Sequence, residues 1–151
     1  MLSTEIHDAW IRDARVVTNA KGSVHEVWSA GEPRAIACRQ VHVTATRPGV
    51  VRAWFRHRLQ TDSLLILRGT ALIALLDDRP GSATCGQLVT MEVSDAHPQR
   101  VVFGPMLWHG FQALGDAELV VAHVNDQPFA HGEPDEEKLP IDDPRFPRCW
   151  R

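Results

Sequence analysis

Eight histidines and no tyrosine set the range of chemistry open to this chain of 151 residues. Without a phenol, any mechanism that needs a tyrosine as proton donor is closed to this chain. Two histidines stand out. His57 follows Trp54 and Phe55 and is separated from Asp62 by four residues, and His109 sits in Gly104-Pro105-Met106-Leu107-Trp108-His109-Gly110-Phe111. A neutral imidazole can take a proton and an imidazolium can return one, so His57 and His109 are the candidate catalytic pair. With Asp62 they also make a two-His, one-carboxylate set of the kind that binds Fe(II) with open positions, which is the alternative, metal-dependent assignment. His42 and His123 are weaker candidates, and His7, His25, His97 and His131 are read as structural. Trp54 and Trp108 flank the two histidine segments and are candidate ligand-stacking walls, with core or a subunit interface as the competing role.

Short strands must position these side chains. Ser23–Ser29, Ala35–Thr46, Gly49–Phe55, Ser63–Gly69, Thr70–Asp77, Gln87–Val93, Arg100–Phe103, Trp108–Leu114 and Ala117–Val124 are rich in β-formers and bounded by Gly, Pro, Asp or Ser. Some nine strands with short links predict an all-β sandwich or barrel. Leu64 to Leu67 is apolar on both faces, as in a strand covered on both sides. Side chains alternate along a strand, so His57 shares a face with Phe55, and Gln40 with His42. Arg52 and His57, five apart, would point to opposite faces unless a bulge intervenes.

Composition bounds the rest. The length suits a single domain, 1–151, with the proline- and acid-rich stretch 128–151 read as an extended tail on it. A formal charge of −3 argues against a nucleic-acid partner, and no apolar run reaches membrane-spanning length. Three cysteines without a CxxC pair read as free thiols, Cys38 and Cys85 buried, in a reducing, cytoplasmic setting. Seven arginines (34, 39, 47, 52, 56, 58 and 68) lie between Pro33 and Leu76 with one acid, whereas Asp116 to Asp143 holds nine acids and one lysine. The arginines are either solvated strand faces or a site for an anion such as phosphate.

Two resemblances sharpen this. Gly49, Phe55, His57, Asp62 and Gly69 keep the spacing of the first cupin motif, with Phe for its first His and Asp for its Glu; of the second motif His109 and a shifted Pro105 remain. More extensively, the chain resembles the dTDP-4-dehydrorhamnose 3,5-epimerase family. The resemblance rests on Lys21-Gly22-Ser23-Val24-His25-Glu26, the step from Gln40 to Gly49, Val50-Val51-Arg52, and Arg68-Gly69. It continues through Asp77-x-Arg79-x-Gly81-Ser82-x-Thr84-x-Gly86, His109-Gly110-Phe111-x-x-Leu114-x-Asp116 and Asp143-Pro144.

The resemblance implies a cupin jelly-roll β-barrel, a homodimer, no metal or other cofactor, and a nucleotide-sugar ligand. It places Lys21, Glu26, Gln40 and Arg52 on the nucleotide diphosphate and His109 on the sugar. It also marks departures. Phe55 stands where the family has its catalytic base, Asp62 where it has a lysine, and Ser23 where it has a base-holding phenylalanine; the acid is a tyrosine this chain lacks. Three functions are therefore carried forward: an epimerase or isomerase using His57 and His109, a sugar-nucleotide-binding cupin without catalysis, and a metal-dependent cupin.

Overall fold

The structure is a computed structural model in which residues 2–3 and 5–151 are described. In chain order the strands are β1 (Leu2–Ser3), β2 (Ala9–Asp13), β3 (Val16–Asn19), β4 (Gly22–His25), β5 (Gln40–Thr46), β6 (Val51–His57) and β7 (Asp62–Arg68). They continue as β8 (Thr70–Leu76), β9 (Leu88–Ser94), β10 (Gln99–Phe103), β11 (Trp108–Leu114), β12 (Leu119–Asn125) and β13 (Glu136–Lys138). Among the described residues there is no helix, and so none long and apolar enough to cross a membrane. A six-stranded sheet, β1-β2-β10-β7-β12-β5, faces a five-stranded sheet, β13-β6-β11-β8-β9, and the β3–β4 hairpin stands apart as its own pair. All pairings are antiparallel. The jelly roll is thus two facing sheets and not a continuously hydrogen-bonded barrel.

The apolar runs become the layers of this sandwich. Leu64 and Ile66 of β7, Ile73 and Leu75 of β8, Val101 and Phe103 of β10, and Leu119 and Val121 of β12 form the inner core. The other face of β8 is covered too: Ala74 and Leu76 lie with Trp54 and Trp108 under Leu139, Phe146 and Trp150 of the C-terminal segment. A strand buried on both faces reads as unbroken apolar sequence, which is why Thr70–Leu76 shows no alternation. The proline-rich stretch contributes β13, which pairs with β6, and its end is fastened by Gln112, whose side chain accepts from Arg151 N at 2.8 Å and donates to Arg151 O at 2.5 Å.

Several local expectations differ from the structure. β4 ends at His25, and 26–39 forms no strand; backbone bonds within it close local turns, Glu32 N to Ser29 O at 3.3 Å and Ala35 N to Glu32 O at 3.1 Å. Cys38 and Cys85 are exposed and not buried, Cys38 in that irregular segment and Cys85 in a turn. All three cysteines are free.

Arginines of the basic stretch pair with acids, two of them across the β6–β13 region. Arg56 donates to Glu137 at 2.6 Å and to Asp78 at 3.2 Å, Arg58 pairs with Asp135 at 3.3 Å, and Arg68 with Glu118 at 2.8 Å. These arginines fasten the acidic C-terminal half to the strands. Of the seven, only Arg52 lines the main cavity.

Candidate active site

A cavity of about 340 Å³ opens between the two sheets. Buried Leu64, Ile73, Phe103 and Phe111 make an apolar floor; His57, Asp62, His109, His123 and Asn125 line its polar part; exposed Arg52 and Phe129 mark its outer end. An apolar pocket with a few convergent polar groups is the usual form of a small-molecule site.

A bulge in β6 builds it. His109 pairs with Phe55 and Phe111 with Arg52, so the two-residue step on β11 is matched by a three-residue step on β6. The extra residue turns Arg52, Phe55 and His57 all toward the cavity, which regular alternation forbids. It also sends Trp54 to the opposite face, where it is completely buried. Gly110 makes the bulge possible: a Cβ there would lie 2.3 Å from Ala53 Cβ and 2.8 Å from Arg52 O. Gly110→Ala is expected to force the two strands apart and to destabilise the protein by about 1–3 kcal/mol, the usual cost of overpacking. Thermal unfolding measures this, and an unchanged midpoint would contradict the close approach.

Hydrogen bonds fix how the imidazoles present themselves. His57 Nδ1 is 2.8 Å from Asp135 O, and His109 Nδ1 is 3.1 Å from Leu107 O. A carbonyl oxygen can only accept, so both Nδ1 atoms donate, and in the neutral rings both Nε2 atoms carry the free lone pair. Asp62 Oδ1 accepts from Gln60 Nε2 at 2.9 Å and from Asn125 Nδ2 at 2.6 Å. Its Oδ2 lies 3.7 Å from His57 Nε2. The ring centroids of His57 and His109 are 5.4 Å apart, and His109 leans on Phe103 at 4.6 Å. His123 stacks on His42 at 4.4 Å and meets Thr44 Oγ1 at 3.0 Å.

Burial sets the charge states. It lowers His109 to about 3, helped by the neighbouring His57, and lowers His123 to about 3, helped by His42 and Arg52. It raises Asp62 to about 6, against the pull of His57 and the amides of Gln60 and Asn125. The depressed histidines give stability that is present above their unfolded value of about 6.5 and lost as pH falls toward the folded value. Asp62 has the opposite sign: its contribution is present below its unfolded value of about 3.9 and lost as pH rises through about 6. Two histidines outweigh one aspartate, so the urea midpoint is expected to be lower at about pH 4.5 than at about pH 7. His123→Gln should narrow that gap, and an unaltered gap would remove His123 from the account.

Not every residue singled out in the sequence reaches the cavity. His57, Asp62, His109, Gln40 and Arg52 do, with His42 and His123. Gln40 Oε1 accepts from Phe129 N at 2.6 Å, and Arg52 Nε donates to Thr46 Oγ1 at 2.8 Å. Trp54 and Trp108 are not ligand walls; the bulge and the alternation of β11 turn them outward beneath the C-terminal segment, where Trp108 Nε1 donates to Asp78 at 2.9 Å. Lys21 and Glu26 lie outside the cavity of their own chain, because β3–β4 is separate from both main sheets. Sequence reasoning missed Gln60, Asn125, Asp135 and Phe129. The Gln60-Thr61-Asp62 spacing was a usable signal for the first, whereas Phe129 lies in a segment without periodicity.

The model of the dTDP-4-dehydrorhamnose 3,5-epimerase family matches residues 3–150. The chain belongs to that family. A probable low-salt glycan biosynthesis epimerase of Haloferax volcanii is 34% identical over 147 residues, which are 96% of this chain and 94% of that protein. A dTDP sugar isomerase from Desulfovibrio desulfuricans superposes with a TM-score of 0.90 at 27% identity, covering 96% of this chain and 92% of that one. A 3′-monoepimerase from Streptomyces bikiniensis, solved as a double mutant with dTDP, gives a TM-score of 0.88 at 21% identity over 100% of this chain and 78% of that one, a likeness of fold. The chain is thus a dTDP-sugar epimerase/isomerase-like protein with the cupin fold.

Proposed function

We propose that this protein epimerises or isomerises a nucleotide-linked 4-keto-6-deoxyhexose, with the sugar against His57 and His109 and the diphosphate against Arg52 and Gln40. The observation that carries this reading is the pair of imidazole Nε2 lone pairs in an apolar-floored cavity that has an arginine at its outer end. A carbon beside a ketone loses its proton readily, so a base to remove that proton and an acid to return one elsewhere are the minimum machinery. An imidazole Nε2 that takes a proton becomes the imidazolium that can return one, so either ring can serve in both steps. Arg52 offers a fork for phosphate oxygens, and Gln40 keeps its Nε2 donors because its oxygen is engaged by Phe129 N. Membership of the epimerase family supports the substrate class.

A homodimer is part of this reading. Val17 and Val24 on the β3–β4 hairpin are 50% and 67% exposed, and Val41 and Val43 on edge strand β5 are 55% and 58% exposed. Such valines are surface that a second copy would cover, and Lys21 and Glu26 travel on the same hairpin.

The test is solvent exchange. With dTDP-4-keto-6-deoxyglucose in heavy water, the sugar C3 and C5 protons are expected to exchange faster than in a no-protein control, as followed by NMR. Binding without exchange would leave a sugar-nucleotide-binding protein. Arg52→Ala is expected to weaken dTDP binding about tenfold or more, since hydrogen bonds to charged groups contribute roughly 1.5–3 kcal/mol. Calorimetry that finds equal affinity would place the diphosphate elsewhere.

A further inference from the structure

We infer that His57 Nε2, Asp62 Oδ2 and His109 Nε2 form a binding site for a divalent first-row transition metal ion. The inference uses the side chains of the proposed catalytic pair but does not rest on that reading. Each of the three residues offers one ligand atom, and these atoms lie within 4.8 Å of one another. The spacing between ligands around a bound zinc-like ion is about 3.3 Å, for metal–ligand bonds of about 2.0–2.1 Å. Two of the three are already close, at 3.7 Å.

The surroundings of each donor strengthen the case. Metal-binding imidazoles ordinarily donate their other ring N–H to a carbonyl or carboxylate, which fixes the tautomer and aims the lone pair. Both imidazoles do so here, His57 to Asp135 O and His109 to Leu107 O. The carboxylate is oriented in the same way: Gln60 and Asn125 hold Asp62 Oδ1, and Oδ2 faces His57. Asp135 is itself anchored, its carboxylate accepting from the backbone N–H groups of Arg58, Leu59 and Gln60 at 3.2, 2.8 and 3.1 Å. So the carbonyl that orients His57 cannot drift.

Burial keeps these donors together. The side chains of His57 and Asp62 are only 11% and 7% exposed. With Nδ1 directed at Asp135 O, His57 turns Nε2 toward Asp62 Oδ2, so donor atoms of the two residues converge at one buried point. Two imidazoles and one carboxylate select a transition ion over Mg²⁺ or Ca²⁺, which favour all-oxygen shells. Three protein ligands leave positions open toward the cavity, where a carbonyl or hydroxyl of a bound ligand could coordinate. Binding there takes up both Nε2 lone pairs, so the ion and the free-imidazole proton transfer proposed above are alternative states of one site.

Chelator-treated full-length protein should be titrated with Co²⁺, whose visible ligand-field absorption reports on nitrogen donors. The expected result is one ion per chain, with the band lost in His57→Ala, Asp62→Asn and His109→Ala and kept in His7→Ala, a change at an exposed histidine outside the cavity. Asn125→Ala should weaken binding about 10–100-fold through loss of carboxylate orientation. No uptake by the wild type, or a band unchanged in all three ligand variants, would overturn the site. Should those variants fail to fold, X-ray absorption of the wild-type Co²⁺ complex decides: two imidazoles in the shell support the assignment, and an oxygen-only shell refutes it. Solvent exchange by the chelator-treated protein reports separately on proton transfer, so either idea can fail alone.

Discussion

His109→Ala is expected to slow sugar C–H exchange by about 10²–10⁴-fold, the usual contribution of a positioned acid or base. His109 rests against Phe103, receives its orientation from Leu107 O, and has its Nε2 in the cavity. Burial holds its pKa at about 3, so the ring is neutral and its lone pair available throughout the physiological range. The substitution leaves the floor of Leu64, Ile73 and Phe103 in place, and dTDP binding through Arg52 should survive. The distinguishing result is therefore lost exchange with retained dTDP affinity and a retained unfolding midpoint. Exchange at the wild-type rate would take His109 out of the reaction and leave His57 to account for it.

Trp54→Ala is expected to do the reverse, lowering stability by about 3–5 kcal/mol while leaving ligand affinity alone. Trp54 is fully buried, with ring centroids 4.9 Å from Phe146 and 5.1 Å from Trp150. Among the described residues its indole N–H has no hydrogen-bond partner, so what the ring contributes is packing. Its backbone exchanges hydrogen bonds with Leu139 at 3.1 and 3.0 Å, so a cavity there loosens the whole C-terminal cover of the five-stranded sheet. At roughly 2–4 °C per kcal/mol for a chain of this size, the midpoint should fall by about 6–20 °C. A variant of wild-type stability with impaired dTDP binding would return Trp54 to the site.

Much of the fold is local information. The apolar runs of β7 and β8, the alternation and turn residues around β9 to β12, and the missing helix periodicity declare an all-β sandwich, because side-chain direction along a strand follows from the backbone alone. The histidine segments were legible as well. Four residues between His57 and Asp62 suffice for the turn from β6 to β7 that brings them together.

Other features depend on a partner strand. β13 is Glu136-Glu137-Lys138, a sequence with little strand character, and it is extended because the edge of β6 offers hydrogen bonds and Arg56 offers a countercharge. The run of arginines resembles an anion site until the acidic C-terminal half folds back onto it. The bulge in β6 is decided by Gly110, more than fifty positions away, whose lack of a side chain admits Ala53. That contact determines which of two neighbouring aromatic residues sees the ligand cavity: Phe55 does, and Trp54 supports the opposite face. Residue types and short spacings thus determined the fold class and the available donors. Which donors share a cavity was settled only by pairing between distant strands, because one inserted residue reverses every side chain beyond it.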